Sequence, residues 1–132
     1  MTIYTVTLNP TLDRTLHFPR LRVGELNRAT SSRVDLSGKG VNVSVALRAF
    51  AVESVSTGFC AGLFGRILAE GLAAAGYACD FVEVAGETRS NITVIDDATG
   101  VTTKLNEPGP AVTDADLAAF VARLAGRVVA GD

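Results

Sequence analysis

Tryptophan is absent, methionine and histidine occur once each, and cysteine occurs only as Cys60 and Cys79. Two cysteines so far apart form no CxxC pair and no metal-ligand spacing, so no metal site is proposed, and two buried, reduced thiols are expected. No apolar run reaches the roughly 18 residues that a membrane-spanning helix needs. The opening Met1-Thr2-Ile3-Tyr4-Thr5-Val6 has neither the basic nor the apolar region of a secretory leader. A basic excess is also missing: charged residues are 20% of the chain and the formal net charge is -2. That balance excludes a surface devoted to nucleic acid, although one phosphate still needs only a cation or two and some backbone amides. There is no internal repeat, low-complexity tract or long linker. What remains is 132 residues, 48% of them hydrophobic, enough for one domain with its own core. A soluble cytoplasmic protein with no nucleic-acid or membrane partner is expected.

The chain alternates strand and helix signals. Ile3 to Leu8 is rich in β-branched residues and closes at Asn9-Pro10, as a buried strand does. Leu12, Leu16 and Phe18 alternate with Asp13, Thr15 and His17, the pattern of a strand wet on one face. Ala29 to Leu36 is a weaker, polar strand. Val41 to Ala51 is small and apolar nearly all round, which predicts a helix covered on several sides. Glu53 to Phe59 reads as a strand, with Gly58 to Gly62 as a loop into a helix carrying Leu63, Ile67 and Leu72 and ending at Gly76. Asp80 to Val84 is a short strand. Asn91 to Ile95 and Val101 to Leu105, joined by Asp96-Asp97-Ala98-Thr99-Gly100, predict a hairpin. Thr113, just after Pro110, caps a last helix with Leu117, Phe120, Val121 and Leu124 at helical spacing. Alternating strands and helices imply a parallel α/β core. Leu12–Leu36 and Asn91–Leu105 do not fit that layer and are expected to pair into a small separate sheet.

Ser37-Gly38-Lys39-Gly40-Val41-Asn42 joins a strand to a helix. Glycines let backbone amides approach a ligand, a helix amino terminus offers unpaired N–H groups and partial positive charge, and Lys39 adds a full charge. Together they suit an anionic or hydroxyl-rich ligand. A Walker A loop is excluded by Arg33 and Gly40, and a dinucleotide fingerprint by Val43 where the third glycine belongs. A plain strand–helix turn remains the alternative, with Lys39 as a solvated surface charge.

Five segments in order carry a more specific message. Thr7-Leu8-Asn9-Pro10-Thr11-Leu12-Asp13 resembles the Thr-Leu-Asn-Pro-Ala-Leu-Asp opening of the PfkB (ribokinase-like) carbohydrate kinases, in their 1-phosphofructokinase and tagatose-6-phosphate kinase branch. Gly24-Glu25-Leu26-Asn27-Arg28, Ser37-Gly38-Lys39-Gly40-Val41-Asn42-Val43, Gly86-Glu87-Thr88-Arg89-Ser90-Asn91 and Asn106-Glu107-Pro108-Gly109-Pro110 are similar to further motifs of that branch. The resemblance covers nearly the whole chain. It implies a partial ribokinase-like three-layer α/β/α core with a small β-sheet lid over residues 11–36 and 88–107. It also assigns roles. Asp13 would accept hydrogen bonds from sugar hydroxyls; Gly38, Lys39 and Asn42 would hold the sugar's other edge; Arg89 would grip the phosphate already on the sugar. Asn27, Asn91 and Asn106 are secondary candidates, since turn roles explain asparagine equally well. His17 is left structural.

Ser37 stands where the family's motif has glycine, and the loop is expected to survive this. Family members are longer, and their nucleotide site, with a Gly-Ala-Gly-Asp general base and an anion hole, has no counterpart here. Val129-Ala130-Gly131-Asp132 matches that tetrad at three positions but lacks its first glycine. The expectation is therefore the amino-terminal part of one kinase domain, without catalytic residues of its own. Its substrate would be a phosphorylated ketohexose, fructose 1-phosphate first, with fructose 6-phosphate and tagatose 6-phosphate as alternatives. ATP and Mg²⁺ would serve the complete enzyme, and a homodimer would form through the lid strands. A non-catalytic phosphosugar-binding module is the alternative of another class.

Overall fold

The computed structural model describes residues 2–132. A parallel sheet is built from β1 (Ile3–Thr7), β4 (Ser54–Ala61) and β5 (Ala78–Val84), in the order β1-β4-β5. A second sheet takes β2 (Thr11–Phe18), β3 (Ser31–Ser37), β6 (Arg89–Asp96) and β7 (Thr102–Asn106), in the order β3-β2-β6-β7. Its outer pairs are antiparallel, as in the expected hairpin, and its central pair, β2 with β6, is parallel. Three helices complete the chain: α1 (Lys39–Ala49), α2 (Gly62–Ala74) and α3 (Asp114–Ala125).

Side-chain alternation along the parallel strands sorts the helices into layers. Phe59 and Ala61 of β4 and Val84 of β5 bury against Phe120 of α3, with the Phe59 and Phe120 rings 5.3 Å apart. Cys79 and Phe81 of β5 face the other way, towards Leu68 and Leu72 of α2 and Val41 of α1. Leu12 and Leu36 of the second sheet enter this same cluster. One core therefore locks the base of the second sheet to the helical layer, and each buried leucine contributes about 1.5–3 kcal/mol. Ser44 of α1 adds buried hydroxyl contacts to Thr5 at 2.6 Å and Ser56 at 2.9 Å. Arg123 and Arg127 flank Asp80, tying the end of the chain to β5; the hydrogen bond from Arg123 holds the Asp80 carboxyl below its ordinary range.

Several expectations need correction. Gly58 to Ala61 is strand rather than loop, and α2 starts directly at Gly62. Gly58 crosses so close to the backbone of Thr7 that only a residue without Cβ continues the strand there. Helix α1 buries one face only, through Gly40, Val41 and Ser44, while Val43 and Val45 are exposed. In α2 the buried stripe is Gly65, Leu68 and Leu72, with Leu63 and Ile67 outside it. An apolar helix offers two neighbouring stripes of the same period, and contact with Leu12 and Val41 selects one. In α3 Phe120 is buried and Leu124 partly so, while Leu117 and Val121 are exposed. Thr113 caps α3 through a reciprocal capping box with Asp116. The two thiols are free but only half-buried, and burial raises both above the ordinary thiol pKa.

Ala51 closes α1 at φ 58°, where the Val52 amide bonds back to Leu47 and the Ala51 amide to Arg48. A Cβ is disfavoured in this left-handed position, which helix ends usually give to glycine. Ala51→Gly should raise stability by about 1 kcal/mol. An unchanged or lower urea midpoint would count against the assignment.

Candidate functional site

In-register strand pairing sets the polar face of the second sheet. Ser37, Thr11 and Arg89 form one row across β3, β2 and β6. The next row is Asp35, Asp13, Asn91 and Asn106, extending onto β7. Paired residues share a face, so Asp13 and Arg89 necessarily look the same way. They meet the amino terminus of α1 just beyond the carboxyl end of β1, the usual place for a ligand in an α/β sheet. There a cavity of about 350 Å³ is lined by Asp13, Gly38, Lys39, Asn42, Arg89 and Asn91, among others.

The glycine corner owes its shape to Thr7. Gly38 has φ 151°, and a Cβ on it would stand 2.5 Å from Thr7 Cγ2. A Cβ on Gly40 would stand 2.6 Å from Thr7 Oγ1. The cap residue of α1, Gly38, has no side chain to accept from the helix, and Thr7 Oγ1 takes that role by accepting from the Val41 amide at 3.0 Å. Among the described residues the amides of Lys39 and Gly40 have no partner. No acidic residue occupies the first turn. Lys39 is exposed and forms no ion pair among the described residues. A lysine at the positive end of a helix is locally unfavourable, so this corner has spare affinity for an anion.

Asp13 is held from one side. Thr11 Oγ1 and Asn91 Nδ2 both donate to its Oδ1, at 3.2 and 3.1 Å, and Oδ2 has no donor among the described residues. Arg89 is half-buried and forms no salt bridge among the described residues, and its Nε is buried without a partner. A desolvated guanidinium nitrogen without an acceptor is costly and suits an anion brought from outside. Ser37 donates to Asn42 Oδ1 at 3.4 Å, which leaves the Asn42 NH₂ for a ligand.

Other motif residues shape the site, and Asn9 among them also lines the cavity. Both carboxylate oxygens of Glu87 accept from the first amides of α2, Leu63 and Phe64, at 3.1 and 2.8 Å. Thr88 Oγ1 accepts from Ala61 at 2.9 Å, at the end of β4. Arg89 is thus carried on a segment pinned on the two residues before it. Glu107 accepts from the Ser90 amide at 2.8 Å, and Asn9 Nδ2 donates to the Pro108 carbonyl at 2.8 Å, which joins the first motif to the last. Asn27 lies apart, its amide spent on Arg22 and Glu25 within the β2–β3 connection. Asn106 is exposed beside Asn91, outside the cavity. His17 pairs with Asp97 at 2.9 Å, also outside it. Thr7, Asn9, Thr11 and Ser37 also line the cavity, beyond the residues expected there; for Thr11 the available signal was its i, i+2 spacing from Asp13 on the polar face. A larger cavity of about 610 Å³ lies at the opposite strand ends. The Arg48 guanidinium there is already engaged, over the Tyr77 ring at 4.7 Å and on the Ala75 carbonyl.

No protein-family model matches the chain. It is similar to the 1-phosphofructokinase of Bacillus subtilis, at 39% identity over 119 residues, which cover 90% of this chain and 38% of that protein. The 1-phosphofructokinase of Haloferax volcanii is 39% identical over 116 residues, 87% of this chain and 37% of the relative. The structure of Escherichia coli phosphofructokinase-2 in complex with fructose-6-phosphate superposes with a TM-score of 0.88 at 25% identity, covering 98% of this chain and 43% of that one. The chain thus spans about two fifths of the length of the proteins it matches. Over most of its length the chain is thus similar to PfkB-type phosphofructokinases, as the motifs suggested, and the fold is part of a ribokinase-like α/β core with a small second sheet.

Thr7→Val keeps the shape of the side chain and removes the acceptor of the Val41 amide. It should cost about 1–3 kcal/mol, the penalty of a buried unpaired donor, and Thr7→Ser should recover most of it. Equal urea midpoints for wild type and Thr7→Val would show that the Thr7 hydroxyl does not hold the helix start.

Proposed function

We propose that the chain supplies the phosphosugar-binding part of an ATP-dependent sugar-phosphate kinase that converts fructose 1-phosphate to fructose 1,6-bisphosphate. The observation that carries this reading is Arg89, a cation with a buried unpaired nitrogen, facing the same cavity as the open oxygen of Asp13. Arg89, Lys39 and the helix end outweigh the one carboxylate that lines the cavity, which matches a ligand with a dianionic phosphate and neutral hydroxyls. Kinship with two 1-phosphofructokinases supports fructose 1-phosphate over the fructose 6-phosphate bound by the Escherichia coli protein.

In this reading Arg89 holds the resident phosphate, Asp13 accepts from sugar hydroxyls, and Lys39, Asn42 and the amides at Gly38–Gly40 hold the other edge. Phosphoryl transfer depends chiefly on such positioning and on charge stabilisation. ATP is the phosphoryl donor and Mg²⁺ its counter-ion in the complete enzyme. Among the described residues no three carboxylate, histidine or cysteine side chains converge, so no metal-holding role is assigned within this chain. The general base and the anion hole are assigned to sequence that the chain does not match, so the chain by itself binds without turnover.

We also infer a homodimer through the second sheet. The face opposite Asp13 carries Val34 on β3 and Leu105 on β7, 53% and 54% exposed, and these two strands are the edges of the sheet. Exposed edges and an apolar face invite a second copy. A phosphofructokinase-2 of Escherichia coli has a tetrameric form.

Calorimetry with fructose 1-phosphate and with fructose separates the phosphate contact from the rest. Arg89→Ala should weaken the phosphosugar about 10- to 100-fold and leave fructose unchanged, since bonds to a charged group are worth about 1.5–3 kcal/mol. Equal losses for both ligands would remove Arg89 as the phosphate clamp. Joined to the segment that completes its relatives, the chain should release ADP faster with fructose 1-phosphate than with fructose 6-phosphate or tagatose 6-phosphate; no release with any of them would end the kinase reading. For the dimer, sedimentation velocity should show two copies for wild type and a monomer for Val34→Lys, and a monomeric wild type would refute it.

A further inference from the structure

Asn91 sits on β6 in register with Asp13 on β2. A carboxylate accepts hydrogen bonds and donates none, so the Asn91 amide must turn its NH₂ towards Asp13, where Nδ2 reaches Oδ1 at 3.1 Å. The amide carbonyl Oδ1 then occupies the other arm of the fork. It is buried, it has no hydrogen-bond partner among the described residues, and the residue lines the cavity. Thr11 donates to the same Asp13 oxygen at 3.2 Å, which saturates that side of the carboxylate and leaves Oδ2 open. Two acceptors on adjacent strands therefore wait for donors, whereas Lys39, Arg89 and the start of α1 present donors to the same cavity.

We infer that Asn91 is a specificity-determining residue, its Oδ1 accepting from the second of two neighbouring ligand hydroxyls while Asp13 Oδ2 accepts from the first. The inference rests on the phosphosugar reading and deepens it: the ligand is a phosphorylated polyol with a vicinal diol at the end away from its phosphate. A ligand without the second hydroxyl leaves the asparagine carbonyl unpaired in a desolvated place. Sites built to bond a hydroxyl reject analogues that lack it far more strongly than apolar pockets reject a missing methylene.

The test is calorimetry of the chain with fructose 1-phosphate and its 3-deoxy and 4-deoxy analogues. Wild type should bind at least one deoxy analogue about tenfold or more weaker than the parent sugar. Asn91→Ala should bind the parent as weakly as that analogue, so that the discrimination disappears. A merely structural role would lower affinity for all three ligands by one factor and leave the ratio between them intact, and that result overturns the inference. Equal binding of all three by wild type overturns it too, while the phosphosugar reading survives. If no phosphosugar binds, the reading and the inference fall together. Should Asn91→Ala not fold, Asn91→Ser keeps a hydroxyl donor for Asp13, shortens the side chain, and is judged by the same ratio.

Discussion

The packing of three backbone segments around Thr7 is the constraint on which the cavity depends. Gly38 and Gly40 press on its side chain and Gly58 on its backbone, at separations that leave no room for a Cβ. This closeness lets a strand hydroxyl, rather than a cap residue, receive the Val41 amide. The preceding amides consequently stay open at the mouth of the cavity. A bulkier corner would push α1 away from β1 and withdraw both the amides and Lys39 from the row that carries Asp13 and Arg89. The energetic weight of the corner lies in burial and hydrogen bonding; its functional weight lies in donors left without partners.

Arg89 is half-buried and yet unpaired among the described residues, a combination shared by no other arginine described. Away from it, Arg123 and Arg127 flank Asp80, Arg33 meets Asp35, Arg22 meets Glu25 and Arg48 lies over Tyr77, while Arg14, Arg20, Arg28 and Arg66, which form no ion pair among the described residues, are exposed to solvent. Arg89 and Lys39 have no such partner among the described residues, although both line one cavity. Asp13 stands in the same cavity but spends one oxygen on Thr11 and Asn91. A surface free to relax would pair these charges. Here strand register and the helix start hold them apart, so the free energy of pairing remains for a ligand.

Much of the site was legible because sequence spacing maps directly onto strand faces. Asp13 alternates with Leu12, so one residue enters the core and its neighbour faces the cavity. Asn42 lies in the first turn of a helix that begins at a glycine pair, which brings it to the same corner. Asn27 shows the limit of such reading. Its surrounding motif is as clear as the others, yet its amide closes a turn through Arg22 and Glu25. Glu87 and Asn9 belong to equally clear motifs; Glu87 only fastens the start of α2, whereas Asn9 both binds Pro108 and lines the cavity. Sequence identity alone does not separate a residue that touches the cavity from one that holds its wall.

The sequence by itself determined the alternation of strands and helices, the polar face of β2, the glycine corner and the order of the motifs, because each is a local pattern of period, turn chemistry or spacing. Tertiary structure alone decided which stripe of α2 is buried, that β4 runs on to Ala61, and that Asn91 leaves an oxygen unpaired. Those outcomes depend on partners far along the chain: Leu12 and Val41 for the helix, Thr7 for the strand, Asp13 for the amide. A local pattern restricts what a residue can do; the neighbour that folding delivers selects among what is left.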